Sequence, residues 1–158
     1  MAITRFDSAI DDLRSCIALT LDPGTKRDVE KELKSAVNKC LNDSIIAGDL
    51  EKTKSLLEEG SDFNYRNQKG DSFLMLASRH GHLSIVELLL SKGANIHDKS
   101  TTNGYSSLLL ASRQGHLKIV ELLLSKGANI HDKDIAERSS LMLASYQGHL
   151  SIDRKSVV

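Results

Sequence analysis

The side chains with the most chemistry to offer are six histidines and two cysteines. His82, His116 and His149 each follow a glycine and lie 34 and then 33 residues apart, a regularity that invites the idea of a shared metal. Zinc needs its ligands about 2.0–2.3 Å from one point, whereas packed helices stand about 8–10 Å apart. Side chains displaced by a whole structural unit do not easily converge over that distance. A neutral imidazole carries one donor and one acceptor, so the same positions suit turn histidines that hydrogen-bond the backbone. His97 and His131 are again 34 residues apart, and His80 stands alone. Cys16 and Cys40 form no Cys-x-x-Cys pair and no Cys/His spacing of metal type, which predicts buried free thiols on helix faces. The P-loop, the zinc-protease helix motif, the nucleophile elbow and the dinucleotide-binding glycines are all missing. No nucleophile, base and orienting group can be assembled, so the expectation is a non-enzyme without cofactor or metal.

Composition narrows the classes further. The chain has 158 residues, 40% of them hydrophobic, with 21 Lys plus Arg against 21 Asp plus Glu. That is one domain's length with enough apolar content for a core. A balanced charge lacks the overall positive field of a general nucleic-acid or anionic-membrane binder. Apolar runs such as Leu88 to Leu90 fall far short of the roughly 20 residues that span a bilayer. Met1 to Ile10 carries Arg5 and Asp7 and never develops the apolar stretch of a secretory signal. A soluble chain with a cytosolic location is expected.

The elements that position these residues come from a repeat. Residues 77 to 99 read ASRHGHLSIVELLLSKGANIHDK, and residues 111 to 133 differ from them only at His80/Gln114 and Ser84/Lys118. A third copy starts at Ala144, and a degenerate earlier one places Gly48 33 residues before Gly81. Each unit has two short apolar stretches joined by Gly-His or Gly-Asp, which predicts two helices and a tight turn. In the second stretch Ile85, Val86, Leu88, Leu89 and Leu90 cover more than one face of a two-turn helix. Left uncovered, each such side chain forgoes about 1.5–3 kcal/mol, so the units must stack. Small pairs such as Ala77-Ser78 and Ala111-Ser112 let the first helices approach, and Gly93 and Gly127 supply a left-handed end for the second.

With the Gly-His-Leu-x-Ile-Val-Glu-Leu-Leu-Leu and Gly-Ala-Asn-Ile segments, the chain resembles the ankyrin-repeat family over about residues 41 to 153. The resemblance implies an all-α solenoid of stacked helix-turn-helix units, each introduced by a β-turn finger, in the order finger, inner helix, outer helix. The family's Thr-Pro-Leu-His segment is replaced by Ser72-Phe73-Leu74-Met75, Ser106-Ser107-Leu108-Leu109 and Ser139-Ser140-Leu141-Met142. Serine keeps an N-cap hydroxyl, while proline's fixed φ is lost. One extra residue between Asp98 and Gly104, followed by Asn103-Gly104, predicts a second finger that is longer or differently bent.

In the family, fingertips and the exposed ends of inner helices line the concave face. Carried over, this mapping picks Arg66, Gln68, Lys69, Asp71, Arg79 and His80 from the second unit. From the third it picks Lys99, Thr102, Asn103, Tyr105, Arg113 and Gln114, and from the fourth Lys133, Ile135, Ala136, Arg138, Tyr146 and Gln147. Seven are basic and one is acidic, which predicts a positive groove with Tyr105 and Tyr146 as aromatic anchors. The expected partner is an acidic or phosphorylated protein segment, with no membrane and no nucleic acid. A bacterial effector acting in a host cell fits such a module. Solvated charges without a partner, the regulatory part of a larger enzyme, and a polyanion binder are the rival readings.

Residues 1 to 40 lie outside the repeat. Phe6, Ile10, Leu13 and Ile17 predict one helix, and Val29, Leu33, Ala36, Val37 and Cys40 predict a second after a break at Asp22-Pro23-Gly24. This N-terminal helical pair is either a cap for the stack or a docking element, and residues 41–158 form the ankyrin-repeat domain of about four units. At the far end Asp153-Arg154-Lys155-Ser156 interrupts the fourth outer helix, as in an array cut short or an unusually short cap.

Overall fold

The computed structural model of the chain describes residues 22–58 and 65–149. Among these residues seven helices follow one another: α1 Pro23–Ala47, α2 Leu50–Glu58, α3 Phe73–His80, α4 Leu83–Ser91, α5 Ser107–Gln114, α6 Leu117–Ser125 and α7 Ser140–Tyr146. The helix expected around Phe6 to Ile17, Cys16, and the interrupted stretch at 153–156 lie outside the described residues.

The N-terminal region differs from expectation in one respect. Asp22-Pro23-Gly24 starts α1, with Asp22 at the N-cap and Pro23 in the first turn, where a missing N–H leaves no bond unmade. No break follows at residues 40–41. Val37, Leu41 and Ile45 are all buried on one face, spaced by four residues as a single continuous helix requires. The second helix of the expected pair and the first inner helix are therefore one helix of 25 residues, ended by Gly48 at φ 76°.

The later units follow the expected pattern. Ser72, Ser106 and Ser139 cap α3, α5 and α7, each hydroxyl accepting from the backbone N–H three residues on, at 3.5, 3.4 and 3.4 Å. These are long contacts, which puts each near the low end of the about 0.5–2 kcal/mol of an N-cap. The outer helices α4 and α6 have no side-chain cap of their own, because His82 and His116 reach elsewhere. After α4 the N–H of Ala94 bonds Leu89 O and that of Gly93 bonds Leu90 O, closing the helix in the manner expected of a left-handed glycine.

The helices form two rows. Inner helices α1, α3, α5 and α7 pack in succession, and outer helices α2, α4 and α6 pack behind them. Ala77, Ala111 and Ala144 are fully buried between inner helices, where a larger side chain would hold the rows apart. Leu89 and Leu123 are completely buried, and Leu88, Leu90, Leu122 and Leu124 pack half-buried against the same core. The stack thus covers the leucine-rich helices from several sides.

Candidate functional site

Beside the inner helices stand the fingers, and an asparagine or aspartate shapes each turn. Asn67 Oδ1 accepts from the N–H groups of Lys69 and Asp71, at 2.9 and 3.0 Å. Asp134 Oδ1 accepts from those of Ala136 and Arg138, both at 2.9 Å. Between them, the third unit's finger closes one residue later. There Ser100 N–H bonds Tyr105 O at 2.8 Å, and Asn103 Oδ1 takes the N–H of Tyr105. The longer second finger expected from the extra residue is present.

Neighbouring fingers are tied together. The hydroxyls of Ser100 and Thr102 both donate to Lys69 O, at 3.0 and 2.7 Å, and Ile135 N–H donates to Asn103 O at 3.2 Å. Arg66 donates to Gly70 O and Lys99 O and sits 3.3 Å from Asp98. Its guanidinium fastens two fingers rather than standing ready for a partner.

Between the finger row and the inner-helix row runs a groove. At its first-unit end it is about 630 Å³, lined by Lys39, Asn42, Asp43 and Ile46 of α1, Gln68 and Lys69 of the finger, and Arg79 and His80 of α3. Burial first of all, then the positive charges of His82, Arg79 and His116, hold the His80 pKa below its ordinary value. Gln114 and Tyr146 are exposed further along, Tyr146 at 89%.

The groove's free charge is smaller than the seven-to-one count implied. Arg79 lies 2.9 Å from the buried carboxylate of Asp71. Neither Asp71 oxygen has an aligned hydrogen bond, so the pair is held by charge. Lys99 pairs with Asp132 at 2.8 Å, Lys133 with Glu137 at 3.1 Å and Arg138 with Asp134 at 2.7 Å. Of the seven mapped cations, Lys69 and Arg113 are the two without a carboxylate partner among the described residues. Burial by itself would raise the Asp134 pKa, but the Arg138 side chain, the N–H groups of Arg138 and Ala136 and the Arg138 charge outweigh it and hold it below the usual carboxylate value. The bond from Asp134 raises Arg138 in turn.

Tyr105 is a second correction. It is 5% exposed and packs with Met75, Leu109 and Leu143, so its ring is core rather than an anchor offered to a partner. Only its hydroxyl reaches the groove's cations, taking bonds from Arg113 at 3.4 Å and Arg138 at 3.0 Å.

The sequence mapping missed Asp98, Asp132, Asp134 and Glu137 because it counted family contact positions alone. Asp134 could have been found, since it occupies the place of Asn67 two units on. Lys39 and Asn42 were missed because the first unit is degenerate and its inner helix was divided at residue 40.

The turn histidines have the backbone role expected of them. His82 Nε2 is 3.1 Å from Ile46 O, and His116 Nε2 is 3.1 Å from Arg79 O. Facing a carbonyl, each Nε2 must carry the proton and donate.

Stacked helix pairs with tied fingers and a lateral groove define a solenoid of the repeat class. The ankyrin-repeat sequence profile, in three copies, matches residues 41–134, and the chain belongs to the ankyrin-repeat family. It is 36% identical over 67 residues to "Probable E3 ubiquitin-protein ligase XBOS32" of Oryza sativa subsp. japonica, covering 42% of this chain and 14% of that protein. It is 51% identical over 41 residues to "Putative ankyrin repeat protein PA3287" of Pseudomonas aeruginosa, covering 26% of this chain and 24% of the relative. "Protein VAPYRIN-LIKE" of Medicago truncatula is 31% identical over 65 residues, 41% of this chain and 14% of its own length. The matches thus span a quarter or less of these relatives. Ankyrin repeats are interaction modules and in general not enzymes, and no described helix is long and apolar enough to cross a membrane.

Proposed function

We propose that the chain binds an acidic segment of a partner protein along the groove between fingers and inner helices. The observation that carries this reading is the set of groove cations with no carboxylate partner among the described residues: Lys39 and Lys69 at one end and Arg113 further along. Asp43 lines the same end, so the preference is for a segment of modest negative charge rather than for any polyanion. Tyr146, exposed at the fourth unit, offers apolar contact beside the charges. The setting is a cytosol, that of a host cell if the chain is a bacterial effector.

The test is a titration with an end-blocked, dye-labelled peptide of six glutamates and its six-glutamine counterpart, followed by fluorescence anisotropy. Binding of the glutamate peptide alone, weakening with salt, supports the reading. Equal binding of both peptides, or of neither, overturns it.

A second reading, the regulatory or targeting part of a larger enzyme, is favoured by the rice relatives. Two of them carry E3 ubiquitin-protein ligase names, and the matched stretches cover 14% and 12% of their lengths. In that case the groove would hold a substrate for chemistry performed elsewhere.

A further inference from the structure

Two positions face each other across the groove in each of the last three units, one at the base of the finger and one at the end of the inner helix. The finger positions hold Asp71, Tyr105 and Arg138, and the helix positions hold Arg79, Arg113 and Tyr146. In the second unit the pair closes on itself, Arg79 2.9 Å from Asp71. In the third a phenol stands where the carboxylate stood. Arg113 donates to Tyr105 Oη at 3.4 Å, and its guanidinium carbon is 5.6 Å from the ring centroid. From the fourth unit Arg138 reaches back to the same oxygen at 3.0 Å while its Nε and Nη2 hold Asp134 at 2.8 and 2.7 Å.

Two guanidinium groups therefore converge on one phenol oxygen, with Asp134 as the single carboxylate among their described partners. The local balance is one positive charge in excess, and it resides on Arg113. That side chain is exposed and uses one of its five N–H donors on Tyr105. Tyr105 Oη, accepting from both arginines, has no acceptor for its own proton among the described residues. An unmatched donor at a residue 5% exposed is costly unless a ligand completes it.

We propose that Arg113, Tyr105 and Arg138 form a receptor for one carboxylate, supplied by a glutamate or aspartate of the acidic segment; this rests on the function proposed above. The charge match decides between anions. A carboxylate carries one negative charge and neutralises the excess, whereas a phosphomonoester at pH 7 carries about 1.5–2 and overshoots it. A carboxylate also accepts two parallel N–H bonds from one guanidinium. Preorganisation helps, since Arg138 is already fixed by Asp134 and Tyr105 is fixed by the core, leaving Arg113 as the one long side chain to be ordered.

The test repeats the six-glutamate titration with four variants. Arg113→Gln is expected to weaken binding about tenfold or more, as for loss of a charge-assisted hydrogen bond. Lys126→Gln removes the same unit of charge from the loop after α6 and is expected to change binding less than about twofold, screening having damped a distant charge. Arg113→Lys keeps the charge without the planar fork and is expected to recover only part of the loss. Tyr105→Phe keeps the ring in the core; it should melt like the parent yet bind several-fold more weakly. Equal losses for Arg113→Gln and Lys126→Gln would mean a diffuse field and overturn the receptor while leaving the acidic-segment reading standing. No glutamate-peptide binding by the parent overturns both. A phosphoserine peptide of the same length, or a six-uridine RNA, binding tenfold tighter than the glutamate peptide and losing that affinity in Arg113→Gln would overturn the carboxylate assignment.

Discussion

The imidazole of His116 lies against Gly81, the turn glycine of the preceding unit, so closely that a methyl group there would sit 2.5 Å from Cε1 and 2.9 Å from Nε2. The same ring donates from Nε2 to Arg79 O, two residues before that glycine. Each Gly-His turn is thus both a receiver and a reacher. Its glycine takes the next unit's ring, and its histidine crosses to the unit before. His82 on Gly48 and His149 on Gly115 repeat the packing. The contact adds a directional tie between units that are otherwise joined by non-directional leucine packing.

Gly81→Ala should therefore suffer two penalties. Gly81 has φ 82°, which costs a side-chain-bearing residue about 1–2 kcal/mol, and displacing the His116 ring adds about 1–3 kcal/mol as overpacking. Gly93→Ala is the matched control, with φ 89° and nothing within 4 Å of the added methyl. It should show the backbone penalty alone. Urea unfolding of both variants measures the difference, and equal losses would show that the ring moves aside freely.

Leu89→Ala and Leu123→Ala should each cost about 2–5 kcal/mol, the range for a buried leucine that leaves a cavity. Both side chains are fully buried in the same core cluster of the outer row. Equilibrium urea unfolding is the check. A loss below about 0.5 kcal/mol, as at exposed surface positions, would contradict their place between stacked units.

The repeat made most of this architecture legible, because a 34-residue identity carries its helices, caps and turn glycines with it. The tie between His116 and Gly81 was half legible. Backbone bonding by a turn histidine follows from the donor and acceptor of imidazole, but the unit that supplies the carbonyl is fixed only by how closely the inner helices approach. Groove charge was the least legible. Arg79 and Arg113 occupy equivalent positions in nearly identical surroundings, yet one is neutralised by Asp71 and the other is not, since Tyr105 has replaced the carboxylate across the groove. That distinction lies in finger residues outside the near-identical block. Similarly, α1 was divided at residue 40 because the repeat begins there, although the apolar spacing of Val37, Leu41 and Ile45 runs through the division.

Acid should destabilise the fold in two separable steps. The His80 pKa is lowered from an ordinary value of 6.5, so the unfolded chain takes up this proton first. Stability is unaffected above that value and falls as pH drops from 6.5 through the lowered folded value. Asp134 is lowered from 3.8. Its contribution is whole above 3.8 and is lost only as pH falls through its still lower folded value. Urea midpoints of parent and His80→Gln at pH 7.5, 6 and 5 should diverge, the variant showing the shallower decline. Parallel curves would remove His80 from the account.

The continuity of α1 gives a test of whether residues 1–40 are an appendage. Lys39 is exposed, so replacing it removes no core contact, and Lys39→Ala should be close to neutral or slightly stabilising in a helix. Lys39→Pro deletes the backbone donor and drives its ring into the preceding turn, a cost of about 3 kcal/mol or more inside a helix. The damage would propagate in both directions, loosening Val37 on one side and Leu41 and Ile45 on the other, all of which belong to the core that the stack shares. A melting temperature several degrees below that of Lys39→Ala is expected. If Lys39→Pro melts like the alanine variant, the chain hinges near residue 40, and the segment before it is a separate element rather than the first wall of the solenoid.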